Sequence, residues 1–141
     1  MPTTYLSNKA QPGVAPKFNH TGSIPVYASA SLTTALGVGD LVKMMTIPAG
    51  ATIVSVILDS DKLDSNASPT IKFDVGDATT ANRYLAASTL PQAGGAAVAN
   101  VAAAYGFQYT VDTPLYVKCN TAAATWQNGT VRLLVEYTMD P

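Results

Sequence analysis

Hydrophobic and polar residues alternate along much of this chain with a period of two, the pattern of strands that bury one face. The longest β-branched and aliphatic run, Thr52 to Leu58, departs from that alternation. Just before it, Pro48 presets φ for the second residue of a turn, and Gly50 takes φ > 0 without steric cost. The run is too short for a comfortable helix and suits a strand buried on most of both faces. Asp59, Ser60 and Asp61 end it with side chains that favour loops. It is expected to be the central strand of an antiparallel β-sandwich.

The other strands follow from the same reading. Ile24, Val26, Ala28, Ala30 and Leu32 share one face, and Pro25 argues that this strand begins at a sheet edge. Leu41 to Ile47 is a second strand, with two sets of residues competing for the core: Val42 and Met44, or Leu41, Met45 and Ile47. After the polar loop Asp59 to Pro69, Ile71, Phe73 and Val75 point inward. Arg83 to Ala87, Phe107 to Val111, Leu115 to Asn120 and Thr130 to Thr138 are also extended, and Asn128-Gly129 carries a hairpin-turn signal. Ala96 to Ala104 has helical propensity, yet its glycine flanks favour a strand or an irregular crossing. About eight strands of this kind make an all-β, antiparallel two-sheet β-sandwich, jelly-roll-like rather than immunoglobulin-like, because no Cys…Trp…Cys framework is present.

Residues 1–23 read as an extended N-terminal arm and residues 24–141 as the β-sandwich domain. Pro2, Pro12, Pro16, Gly13 and Gly22 interrupt any regular element in the arm. Its isolated hydrophobes are Tyr5, Leu6, Val14 and Phe18. Two readings stand: a disordered terminus, or an arm whose hydrophobes dock on a neighbouring subunit and order there.

Composition sharpens the picture at the surface. A chain of 141 residues is long enough to bury a core without disulfides or metals. Charged residues make up 12%, against about 25% in typical domains, so much of the surface is suited to being covered by partners. A neutral extracellular type of β surface is the alternative. The net charge is -1 and the basic residues are scattered singly, which disfavours nucleic acid as a partner. Cys119 sits in an alternating run and reads as a core hydrophobe. A lone cysteine suits synthesis in a reducing cytoplasm. No signal-peptide pattern or apolar run of membrane-spanning length is found, so no membrane partner is expected.

Catalytic chemistry finds no residues to carry it. His20 lies in the arm, away from any acid or nucleophile, and a zinc site needs more than one histidine and one cysteine. No phosphate-cradling glycine loop occurs, and no cofactor is expected. Asp59, Asp61 and Asp64, with Asp74 and Asp77, are numerous enough for a calcium site between two loops, although turn capping explains aspartates there more simply. Trp126, Tyr84, Tyr105 and Tyr109 are candidates for a sugar-stacking platform, against the commoner use of aromatics in a core or interface.

From Gly39 to Gly95 an ordered set of segments stands out: Gly39-Asp40, Val42-Lys43-Met44, Ile47-Pro-Ala-Gly-Ala51, Ile57-Leu-Asp-Ser-Asp61, Ala67-Ser-Pro69, Asp74-Val-Gly-Asp77, Asn82-Arg-Tyr84 and Gln92-Ala-Gly-Gly95. In this order they resemble the head decoration, or cement, proteins of tailed bacteriophages, with Val131 to Tyr137 extending the likeness. The resemblance implies a jelly-roll-like virion protein on the capsid exterior, made in the host cytoplasm and bound to the major capsid protein. It also implies a trimer whose terminal arms join neighbours. A tail or fibre module binding host glycans is the alternative, and a small metal-dependent enzyme is the least supported reading.

Overall fold

The computed structural model describes residues 2–9 and 23–139. Nine strands run in the order β1 (Thr4–Lys9), β2 (Ser23–Leu32), β3 (Leu41–Ile47), β4 (Ala51–Ser60), β5 (Lys72–Gly76), β6 (Leu85–Ser88), β7 (Gly95–Val98), β8 (Thr113–Thr121) and β9 (Gly129–Met139). They form two sheets, β1-β3-β8-β5-β6 and β2-β9-β4-β7. All pairings are antiparallel except β1 with β3. Without β1 the sheets hold four strands each, and nearly every connection crosses from one to the other. That is the jelly-roll form of the sandwich. Among the described residues the only helical element is one short 3-10 turn, Leu90–Gln92.

The core is the layer between the sheets, where alternation places its apolar residues. Val131, Leu133, Val135 and Tyr137 of β9 are fully buried there, as are Ile71, Phe73 and Val75 around β5. The β3 competition is resolved by a register shift between Lys43 and Met45. This bulge lets Met44 and Met45 bury together with Val42 and Ile47. Pro25 sits on β2, at the edge of its sheet, where its missing N–H breaks no ladder. Cys119 is buried, and burial pushes its thiol pKa up to about 11, helped by Asp40 and Asp74.

Three expectations change. β4 is one of the two inner strands of its sheet, but it buries a single face: Ala51, Ile53, Val56 and Leu58 point inward, while Val54 is 43% exposed. The turn before it is closed by the Ala51 N–H donating to the Pro48 carbonyl at 3.2 Å. Pro48 is therefore the first corner of that turn, and Gly50 takes φ +89° in third place. Asn128-Gly129 is no hairpin, since β8 and β9 belong to different sheets. Gly129 packs closely instead: a Cβ there would lie 2.8 Å from Leu63 Cδ2, so that side chain would have to shift.

The Ala-rich span divides into β7 and an irregular crossing, with Ala103 at φ 64°. Its continuation returns along β4. Ile53 N–H donates to the Phe107 carbonyl and Tyr109 N–H to that of Ala51, both at 2.9 Å.

At the end of β5 the chain folds back so tightly that a Cβ on Gly76 would collide with the Thr80 carbonyl oxygen and the Ala81 backbone. Backbone cannot yield as a flexible side chain does. Gly76→Ala is expected to lower stability by about 1–3 kcal/mol, read as a lower urea midpoint. An unchanged midpoint would refute the packing of this turn.

Candidate interaction surfaces

The start of the arm is a strand of its own domain. The Leu41 N–H donates to the Thr3 carbonyl at 2.8 Å, and Asp40 accepts the N–H groups of Thr3 (2.8 Å) and Gly37 (2.9 Å). β1 then pairs in register with β3, Tyr5 beside Val42 and Leu6 beside Lys43. Alternation separates the two hydrophobes: Tyr5 packs against the core, while Leu6 is 49% exposed. Val14, Phe18 and His20 lie outside the described residues.

The outer faces of the sheets hold residues that the strand reading passed over. Tyr27, Leu134 and Val98 are large, apolar and at least a third exposed. Their signal was present in the sequence. Leu134 is out of phase with the inward set of β9, between Arg132 and Glu136, and Tyr27 stands among the serines of β2.

The aspartates are turned to protein donors. Asp64 is fully buried. It accepts five backbone N–H groups: Thr70 (2.8 Å), Ala124 (2.9 Å), Thr125 (3.0 Å), Asn66 (3.2 Å) and Ile71 (3.3 Å). Burial works to raise its pKa, but these donors favour the anion and hold it well below the usual carboxylate range. Asp59 and Asp61 meet Arg132 at 3.1 and 3.2 Å. Asp74 accepts the Ala87 N–H at 2.7 Å and the Asn120 amide at 3.2 Å. Among the described residues no three such side chains converge as metal ligands.

Asp77 anchors a second buried network. Its Oδ2 accepts from Arg83 Nε at 2.6 Å and from the Tyr109 hydroxyl at 2.9 Å. The Tyr109 proton is thereby used, so in the 2.6 Å contact between the two hydroxyls Tyr84 is the donor. Burial raises the Asp77 pKa and the Arg83 bond lowers it; with the Thr80 and Tyr109 bonds the net direction is down. Burial pushes the Tyr84 phenol up to about 12. The Arg83 guanidinium also stacks 3.8 Å from the Phe107 ring centroid. A cavity of about 240 Å³ opens beside Arg83, Phe107, Tyr109 and Val111. With Tyr84 and Tyr109 buried, neither offers a ring face to a sugar.

Comparison with known proteins gives the same fold a context. No protein-family model matches the chain, and no curated protein matches it significantly. Among solved structures, a chain in the capsid of Ralstonia phage GP4 is 29% identical, with TM-score 0.89 over 99% of both chains. A chain in the capsid asymmetric unit of cyanophage Pam1 is 35% identical, with TM-score 0.75, over 94% of this chain and 97% of that one. A chain in the acid-stable capsid of Helicobacter pylori bacteriophage KHP30, at 19% identity and TM-score 0.60, shares the fold.

Asp64 and Asp77 have lower pKa values folded than unfolded, where a carboxyl titrates near 3.9. The stability each lends is therefore complete above about pH 4 and is lost as pH falls through the folded value. The melting temperature is expected to hold from neutrality to about pH 4 and to drop below it. Asp64→Asn removes the anion but leaves its donors buried, at a cost of about 3 kcal/mol. That corresponds to a melting point lower by roughly 10 °C at pH 7. The gap to wild type should narrow in acid, and a gap independent of pH would exclude the buried anion.

Proposed function

Because this chain belongs to a family of bacteriophage capsid proteins, we propose that it is a non-enzymatic decoration, or cement, protein. It binds the outer surface of a phage head and bridges neighbouring units of the major capsid protein. The observation that carries this reading is the match, over almost the full length of both chains, to proteins of phage capsids. A sandwich with 12% charged residues fits the role, since apolar and neutral polar surface is readily covered by partners. The carboxylates, engaged with backbone N–H groups and arginines, serve the fold.

The mechanism is mechanical. Many copies clamp adjacent shell subunits, and each bridge resists outward pressure from packaged DNA. A trimer with arms reaching its neighbours multiplies modest contacts, because linked attachment raises effective affinity by large factors. In this reading Leu6, exposed on β1, works with Val14 and Phe18 of the arm, while Tyr5 fixes the base of the arm to the core. The glycan-binding alternative loses two rings of its platform to the core.

Particles stripped of this chain and incubated with the purified protein are expected to regain it on their exterior, located by cryo-microscopy. Val14→Ser with Phe18→Ser should reduce occupancy about 10-fold by weakening arm attachment. Finding the chain in the tail or inside the shell would overturn the proposal.

A further inference from the structure

Without β1 the sandwich keeps two four-stranded sheets, and β1 is fastened to them lightly. It holds register with β3 for three pairs, Thr4 with Leu41, Tyr5 with Val42 and Leu6 with Lys43, then slips before Lys9 meets Met45. The slip falls where β3 bulges against β8, between Lys43 and Met45. The bulge that buries Met44 and Met45 together thus also spoils the edge offered to β1. Thr4 and Leu6 are exposed and Tyr5 is half-buried, whereas Val42 beside it is fully buried.

The fastening at the start of β1 is of another kind. Asp40 belongs to the frame: its carbonyl accepts the Cys119 N–H at 2.9 Å, and its own N–H donates to the Gly37 carbonyl at 3.0 Å. The Gly39 N–H donates back to the Cys119 carbonyl at 2.8 Å. From that fixed position the Asp40 carboxylate reaches the Thr3 N–H, and the Leu41 N–H returns to the Thr3 carbonyl. Gly39, at φ +89°, leaves room for Pro2, whose Cγ would lie 3.3 Å from a Cβ there. One carboxylate and one carbonyl therefore latch the strand, and a short ladder carries the rest of it.

These few contacts stand against the entropy of ordering a whole strand. Each hydrogen bond is worth little net, and every residue of β1 loses backbone freedom when it pairs. The β3-β8 and β5-β8 ladders do not pass through β1, so its departure leaves them in place. We propose that β1 is a strap that opens from β3 while the other strands stay folded, with Asp40 as its latch. Closed, the strap keeps Tyr5 against the core. Open, it sets Tyr5 free beside Leu6, and the two hydrophobes together become available to a partner. The opening stands on the fold alone; the partner contact of Tyr5 rests on the decoration-protein reading.

Amide hydrogen exchange of the full-length protein, followed by NMR, tests the opening. The Leu41 amide, bonded to Thr3, is expected to exchange roughly 100-fold faster than the Cys119 amide, bonded to Asp40 in the frame, once intrinsic rates are removed. Asp40→Ala should speed Leu41 about 10-fold further and leave Cys119 within about two-fold. Thr3→Pro removes the latched N–H but spares the bond from Asp40 to Gly37, and should act in the same way. Leu41 exchanging no faster than Cys119, or the two rising together in both variants, would overturn the strap. The release of Tyr5 is tested by Leu6→Cys with Lys43→Cys, a pair in register that a disulfide locks closed. On particles stripped of the chain, the oxidised protein is expected to reach an occupancy about 10-fold below that of its reduced form. Equal occupancy would overturn the release. Failure of wild type to bind at all would sink the decoration reading instead, and the exchange rates alone would then decide the strap.

Discussion

Each strand of this sandwich has two faces, and the two-residue period allows only one of them to reach the space between the sheets. Everything else follows from that constraint. The inward sets of β2, β4, β8 and β9 are almost wholly buried. The outward sets are what the protein can offer to partners. A jelly roll crosses between sheets at nearly every connection, so residues distant in sequence become neighbours on one outer face. Tyr27, Leu134, Ile57 and Val98 are the consequence.

The loops add a second kind of adhesive to their buried side chains, among them Leu63, Ile71 and Tyr109. Here it is the carboxylate. Asp64 ties its own loop to the segment before β9 through backbone donors on both sides. Asp77 joins its turn to Arg83 and Tyr109, while Asp40 holds the start of β1. A buried anion surrounded by donors is favourable only while every donor is in place, which makes these loops rigid.

Sparse charge and firm loops point the same way. In the decoration reading proposed above, many copies on one lattice would gain more from repeated modest contacts than from a single deep pocket. The cavity beside Arg83 and Phe107 is small, and three of its polar residues, Asp77, Arg83 and Tyr109, are already bonded to one another. The chemistry of this molecule lies in its surfaces.

Much of this was legible beforehand. The edge position of Pro25, the span of β3, the inward phases of β5 and β9 and the glycine conformation at Gly50 all follow from local rules, because period and steric permission are properties of neighbouring residues. Other features were not. The local Asn-Gly signal at 128–129 was overridden by a topology that sends β8 and β9 to different sheets. The aspartates looked like possible metal ligands until their backbone donors, as many as 69 residues away, were in view. The arm hydrophobes Tyr5 and Leu6 are equivalent in sequence, and only pairing with β3 divides them between core and solvent. Alternation along one strand is written in the chain. Register between strands depends on which distant segments meet, and that was decided by the fold as a whole.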